Sequence, residues 1–292
     1  MEFENNVRLI YEKEGEKWLE NLPFLIKKLA SQWNLEDLKV YPDLTYNYVL
    51  KGWQEKNPIV LKVGIDLCAL QQEYAALQAF KEHGVISVID ANLEEGALLL
   101  TQAIPGKTLS SFFPKQDDKA LRIACELVTS LHQTPLPKNH SFPLLSEWLK
   151  IIDQDWEFPL HQLQRARKLK DELFRNSKSQ VLLHGDLHYG NIISNKDTWR
   201  VIDPKGVVGD SLYDMTGCLL REPFKLFMSQ ENIFNFLRHR REFIANYTQR
   251  PVKEIWAWTY VQTVMSICWS LEDGQNVDLK RKFLEILEHD DL

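Results

Sequence analysis

The segment Leu182–Ile193, LLHGDLHYGNII, sets two histidines, one aspartate and one asparagine between apolar flanks, with Gly185 and Gly190 inside it. Two chemistries compete for these residues. His184 and His188 are four apart, a spacing that on a helix puts two zinc ligands on one face. Gly185 and the Tyr189-Gly190 pair argue against a helix, so a loop is expected and the zinc geometry is lost. The second chemistry uses the remaining residues. Asp186 is followed five residues on by Asn191 and, after two short strands, by Asp203 in Val201-Ile202-Asp203-Pro204-Lys205-Gly206. This is the spacing of kinase-type phosphoryl transfer, in which a loop aspartate accepts the substrate hydroxyl proton while the asparagine and a second aspartate hold magnesium. Such chemistry asks for fixed oxygen ligands to hard Mg²⁺ and one carboxylate aimed at the nucleophile. Either residue alone would more often close a turn; the combined spacing is what points to chemistry.

A kinase also needs a lysine on the third strand for the α and β phosphates and a glutamate on the next helix to hold that lysine. Val60-Leu61-Lys62-Val63-Gly64 offers Lys62 in an apolar strand, and Glu73 follows eleven residues later on an expected helix. The string Pro105-Gly106-Lys107-Thr108 looks like the end of a Walker A loop, but Thr101 stands where the first glycine is required. It is expected to be a turn between two parts of the chain.

The elements that must position these residues are legible from periodicity. Trp18, Leu19, Leu22, Leu25, Ile26 and Leu29 recur at threes and fours, predicting an amphipathic helix over Gly15–Trp33. LKVYPDL, YNYVLKGW and IVLKVGI read as strands, then a helix near Leu67–Glu82, then strands ISVIDAN and ALLLTQAI. After Ile104-Pro105-Gly106 the pattern turns helical, with helices expected near Asp118–Gln133, Leu144–Asp153, His161–Arg175, Gln230–Tyr247, Val252–Leu271 and Leu279–His289. Val181–Asp214 reads as loop, two short strands and loop. The fold class is therefore α+β, with a strand-rich part over residues 1–103 and a helical part over 104–292.

With 292 residues, 44% hydrophobic and 26% charged, the chain has the composition of an ordinary folded protein. A net charge of -6 with scattered basic residues excludes the footprint of a nucleic-acid binder and tolerates cationic ligands. The N-terminal residues lack a signal-peptide pattern, and no window approaches the ~18 apolar residues of a membrane span, so a cytoplasmic protein is expected. Cys68, Cys125, Cys218 and Cys268 are widely spaced in apolar helical settings and read as reduced core residues. Oligomeric state leaves no trace in the sequence.

The string LHGDLHYGNI…VIDPKGVVGDSLYD resembles the aminoglycoside phosphotransferases, within them the branch of streptomycin 6-kinases and hydroxyurea kinases. IVLKVG, LLLTQAIPGKTLS and WTYVQTVMSICWSLEDG extend the resemblance over about residues 40–275. It implies a bilobal protein-kinase-like fold, with a small antiparallel five-stranded N-lobe carrying one helix, a mainly helical C-lobe and ATP in the cleft. By motif, Asp186 would be the catalytic base, Asn191 and Asp203 the magnesium ligands, Lys62 the phosphate contact and Glu73 its partner. After a gatekeeper-like Leu100, the Thr101 carbonyl and the Ala103 amide would meet the adenine. His184 would bond backbone near the second aspartate, and Asp210 and Asp214 would be buried structural acids. The chain departs from the protein-kinase pattern in Asp43-Leu44-Thr45-Tyr46-Asn47-Tyr48, which replaces a glycine-rich phosphate loop, and in Lys205, which stands where protein kinases have phenylalanine.

Acceptor sites in this family are acid-lined, which makes Asp153, Asp155 and Glu157 around Trp156, and Glu272 and Asp273 after Trp269, candidates; acids at helix ends are otherwise solvated surface. Three functions follow. The first is an ATP- and Mg²⁺-dependent O-phosphotransferase acting on an aminoglycoside such as streptomycin, or on hydroxyurea, as a resistance kinase. The second is a metabolic kinase for a sugar, amino alcohol or nucleoside. The third is a pseudokinase scaffold, which Lys62, Asp186, Asn191 and Asp203 together speak against.

Overall fold

A computed structural model describes residues 2–42, 44–177, 180–220 and 230–289. The chain divides into two compact units, Met1–Gly106 and Lys107–Leu292.

The first unit is built on a five-stranded antiparallel sheet in the order β1-β2-β3-β5-β4, with β1 Leu35–Val40, β2 Tyr48–Gln54, β3 Asn57–Val63, β4 Val88–Asn92 and β5 Ala97–Thr101. The β2–β3 hairpin pairs Gln54 with Asn57, and Glu55 in the turn takes the left-handed φ of 55° that tight hairpins require. On β3, Ile59, Leu61 and Val63 are buried in a core shared with Leu22, Leu25 and Leu29 of α1 (Glu2–Gln32). The strand's alternation sends Lys62 to the opposite face. There it meets α2 (Leu67–Ala79), whose first turn is capped by the Asp66 carboxylate accepting from the Ala69 amide.

Helix α1 begins thirteen residues before the predicted Gly15, and its two stretches meet at Glu12, where the backbone leaves the helical region (φ 46°, ψ -122°). A Cβ on Gly15 would lie 2.5 Å from the Val7 carbonyl oxygen, so the glycine lets the first stretch fold back along the second. Folding back carries Phe3 and Val7 into the core, a tertiary effect that local periodicity does not reveal.

The second unit is mainly helical. It contains α3 Asp117–Leu131, the single turn α4 Leu145–Trp148, α5 Leu160–Asn176, α6 Leu212–Leu220, α7 Gln230–Thr248, α8 Val252–Glu272 and α9 Asp278–His289. Every residue of α8 from Ile255 to Met265 is buried, the signature of a helix apolar all round, and α5, α6, α7 and α9 pack about it. Strand β6 (Pro105–Thr108), whose last two residues begin this unit, joins β8 Ile192–Asn195 and β9 Thr198–Val201 in a three-stranded sheet, with the Lys107 amide donating to Ser194 Oγ at 2.9 Å. A short ladder pairs β7 Val181–Leu183 with β10 Val207–Gly209.

Several expectations are corrected. Pro105–Thr108 is a strand rather than a turn; β7 and β10 are strands where loop was expected, being too short to show a period. The helix expected over Leu144–Asp153 is one α-turn followed by a 3-10 helix, and α6 begins inside the expected loop. Cys125 and Cys268 are buried and their thiols pushed up to about 12 by burial, but Cys68 is exposed on the outer side of α2, so it is not a core residue. The side chain of Cys218 and all of Asp43 lie outside the described residues. Among the described residues no helix is long and apolar enough to cross a membrane.

Candidate active site

In the first unit Lys62 and Glu73 form a two-point ion pair, with Nζ at 2.8 and 2.7 Å from the two carboxylate oxygens. Both are buried, at 4% and 7% exposure. β3 is the central strand and α2 the helix behind it, so the ammonium is held by regular structure on both sides. Such a buried pair is a poor source of stability, because desolvation opposes the attraction. It is better explained by a need for one oriented cation. At the end of β5 the Thr101 amide donates to Ser87 (2.9 Å) and the Gln102 amide to Pro58 (3.1 Å); buried Ala103 follows this last sheet bond. Ahead of β2, the Thr45 carbonyl accepts from Asn6 Nδ2 (3.1 Å) and Leu44 is buried, so the glycine-poor stretch is tied to α1.

In the second unit the loop from His184 to Asn191 connects β7 to β8. Gly185 has φ +87°, and a Cβ there would lie 2.9 Å from the Trp148 ring, so both backbone and space demand glycine. His184 is fully buried, which lowers its pKa and keeps the imidazole neutral. Its Nε2 donates to the Ile202 carbonyl at 2.8 Å, while Nδ1 accepts the Asp186 amide at 3.1 Å. The Lys205 amide donates to the His184 carbonyl (2.7 Å), and the Ile202 amide to the Asn191 carbonyl (3.0 Å). Asn191 Nδ2 donates to the Asp186 carbonyl at 3.0 Å. One network thus ties Asp186 and Asn191 to the stretch Ile202–Lys205 that carries Asp203. His188 Nδ1 accepts the Gly190 amide (3.0 Å), so both histidines have backbone partners and the zinc pair does not form. Asp203 holds a φ of 59°, left-handed backbone of the kind that collects at functional sites.

Asp214, on α6 and nearly fully buried, fastens the start of this loop. Its Oδ2 accepts the His184 amide at 2.7 Å and lies 3.0 Å from His132 Nε2, and its Oδ1 accepts the Gly185 amide at 2.9 Å. Burial alone would raise this carboxyl, but the hydrogen bond and charge of His132 and the Gly185 amide outweigh it and hold the pKa below the ordinary value. Asp210 caps α6 through the Leu212 amide (2.9 Å) and lies 3.6 Å from Arg250.

Beside the loop, wholly within the second unit, is a cavity of about 390 Å³. Asp186 shares its wall with Gln262, Ser266 and Trp269 of α8 and Lys280 and Phe283 of α9. The acids named as acceptor-site candidates, or else as solvated helix ends, lie outside this cavity. Asp153, Asp155, Glu157, Glu272 and Asp273 are exposed, none lines the cavity, and Asp153 pairs with Lys170. Sequence reading did not place Gln262 and Lys280 beside Asp186; the one available signal was a glutamine inside the apolar run WTYVQTVM. A larger hollow of about 750 Å³ in the first unit, between α1 and β2, contains none of the predicted site residues.

The family model for aminoglycoside/hydroxyurea antibiotic resistance kinases matches residues 45–274. The chain belongs to this family. It is accordingly a small-molecule kinase. A streptomycin 6-kinase of Streptomyces glaucescens is 23% identical over 279 residues, covering 90% of this chain and 87% of that protein. The fold is similar to that of a thermostable mutant of aminoglycoside phosphotransferase APH(4)-Ia solved in a ternary complex with ADP and hygromycin B, at TM-score 0.68, 13% identity, and 90% and 96% coverage. It is equally similar to choline kinase LicA from Streptococcus pneumoniae, at TM-score 0.68, 15% identity, and 92% and 99% coverage. The kinase fold of these proteins is therefore the fold of this chain.

Proposed function

We propose that this family member transfers the γ-phosphoryl group of ATP to a hydroxyl of a small molecule, of the aminoglycoside or hydroxyurea type that the family name covers. The single observation that supports the reading is the His184-centred network, which ties the candidate base Asp186 and the candidate ligand Asn191 to the stretch carrying Asp203, up to seventeen residues away in sequence. In this account the first unit, here taken over residues 1–103, is the nucleotide-binding lobe and the second, over 104–292, supplies the base and the acceptor site. Lys62 contacts the α and β phosphates, Glu73 fixes its ammonium, and the Thr101 carbonyl and Ala103 amide meet the adenine.

Asp186 takes the acceptor's hydroxyl proton as that oxygen bonds to the γ-phosphorus. The bond from the γ-phosphorus to the β–γ bridging oxygen breaks, and ADP leaves with the electron pair. Removing such a base costs about 10²- to 10⁴-fold in rate. Two hydrogen bonds hold the Asp186 backbone, one from its own amide to His184 and one from Asn191 to its carbonyl. Because Asn191 Nδ2 is committed to that carbonyl, its Oδ1 is the group left to serve as a ligand. Asn191 Oδ1 and the Asp203 carboxylate fit Mg²⁺, a hard cation that takes one or two protein oxygens and completes its shell with phosphate and water. When bound, Mg²⁺ neutralises charge on the transferring phosphates. The test is ADP release from Mg-ATP over a panel of streptomycin, other aminoglycosides, hydroxyurea and simple polyols. Stimulation by one member that Asp186→Asn abolishes supports the reading; release that ignores Asp186 refutes it.

A further inference from the structure

We infer that Arg240 is a positioning residue of the catalytic loop: through the Tyr189 hydroxyl it sets the turn that carries Asn191, so that α7 fastens one end of the loop as α6 fastens the other. This rests on Asp186 being the base and Asn191 a metal ligand, and adds a residue that acts on the same site through another.

Arg240 lies in the middle of α7 and is fully buried. Its Nη2 donates to the Tyr189 hydroxyl, and its guanidinium lies over the Tyr189 ring at 5.1 Å and the Phe236 ring at 5.0 Å. Aromatic faces attract a cation. The rest of the guanidinium is poorly served. Nη1 and Nε are buried without a hydrogen-bond partner among the described residues, and the Asp117 carboxylate stands 3.6 Å from Nε. Taking a charge out of water costs more than one such partner returns, and buried donors are normally satisfied. A methionine would fill the space between the two rings without that cost. As with Lys62, stability is the poorer explanation and orientation the better one.

What Arg240 orients follows from the loop. Tyr189, Gly190 and Asn191 form one 3-10 turn, in which the Asn191 amide donates to the His188 carbonyl at 2.9 Å and the Ile192 amide to the Tyr189 carbonyl. Tyr189 is fully buried, so packing fixes its ring. In so short a turn a shift of Tyr189 is passed to Asn191, and through Asn191 Nδ2 to the Asp186 carbonyl. At the other end Asp214 accepts the His184 and Gly185 amides. The loop is thus held from α6 at its start and from α7 at its turn, with Asp186 between the two. Accuracy of this kind matters to rate, because misplacing a reacting group by about 1 Å can cost ~10²-fold.

The test begins with the full chain free of metal and nucleotide. Amide hydrogen exchange is read by NMR at Gly190, Asn191 and Ile192, with Gly185 as the internal reference. Tyr189→Phe, which keeps the ring and removes only the hydroxyl, and Arg240→Met are each expected to speed exchange at the three turn amides about tenfold and to leave Gly185 unchanged. ADP release from Mg-ATP is then measured with streptomycin, with hydroxyurea and without an acceptor. In the fastest of these conditions each variant is expected to lower kcat about tenfold or more and to raise the Mg²⁺ concentration needed for half-maximal turnover, with unfolding temperatures confirming that both fold. The double variant is expected to lose no more than Arg240→Met alone, because the two substitutions break one contact. Exchange that rises equally at Gly185, exchange unchanged at the turn, wild-type turnover in Tyr189→Phe, or losses that multiply in the double variant would overturn the inference. Asp186→Asn is run beside them. Turnover that ignores Asp186 while the turn amides loosen as expected removes the kinase reading alone; turnover that needs Asp186 but not the Tyr189 hydroxyl removes this inference alone.

Discussion

In the first unit Lys62 and Glu73 meet between a central strand and the helix behind it, each the other's carboxylate or ammonium partner in a buried setting. In the second unit Asp186 lies on a loop whose regular part is the single 3-10 turn Tyr189–Asn191, and its form comes from His184, Asn191 and Asp214 bonding to backbone. The first arrangement concentrates its cost in two opposite charges. The second spreads it over several neutral or charge-assisted hydrogen bonds. A single substitution should therefore be far more damaging to fold stability in the first site than at most positions of the second.

The largest expected effect on stability is at Glu73. Glu73→Ala leaves the Lys62 ammonium buried without that carboxylate and should cost about 3–5 kcal/mol in denaturant unfolding, whereas the double variant Lys62→Met with Glu73→Leu should recover most of it. A Glu73→Ala cost below about 1 kcal/mol would break the comparison by showing that water reaches the pair.

Asp214→Asn comes next. It replaces an ionised acceptor of two backbone amides and should lose about 1–3 kcal/mol. Because the folded pKa of Asp214 is depressed, its contribution is complete above the ordinary aspartate value of 3.8 and is lost as pH falls from there towards the folded value. Acid titration of unfolding should show wild type losing this increment over that window and Asp214→Asn lacking it.

Asn191→Ala should cost less, since it deletes one part-buried hydrogen bond, about 0.5–1.5 kcal/mol. It should instead raise the magnesium concentration needed for turnover, measured by titrating Mg²⁺ at fixed ATP. The smallest effect is at Asn6. Asn6→Ala removes the exposed bond to the Thr45 carbonyl, so its stability cost should stay under about 1 kcal/mol, with a modest rise in KM for ATP as the readout.

What was legible in the sequence follows the same division. The five strands and α2 show because period-2 alternation and turn residues such as Glu55-Lys56 are local signals. The spacing of Asp186, Asn191 and Asp203 shows because one loop and one hairpin set it. The cavity beside Asp186 did not show, because its wall comes from different helices that only the packing of α8 against α9 brings together. The acids of residues 153–157 and 272–273 drew attention because charge is visible in a sequence and direction is not; they are exposed, and Asp153 pairs with Lys170. The fold-back of α1 at Glu12 was hidden for the same reason, as the Gly15 contact with Val7 exists only in three dimensions.

The central claim is that Asp186, held by His184 and Asn191, removes the acceptor proton. The most direct measurement is ADP release from Mg-ATP by wild type and Asp186→Asn with a stimulating acceptor, with ATP affinity measured in parallel. The account predicts a fall of about 10²-fold or more in turnover with ATP affinity unchanged. Turnover within a fewfold of wild type in Asp186→Asn would contradict it.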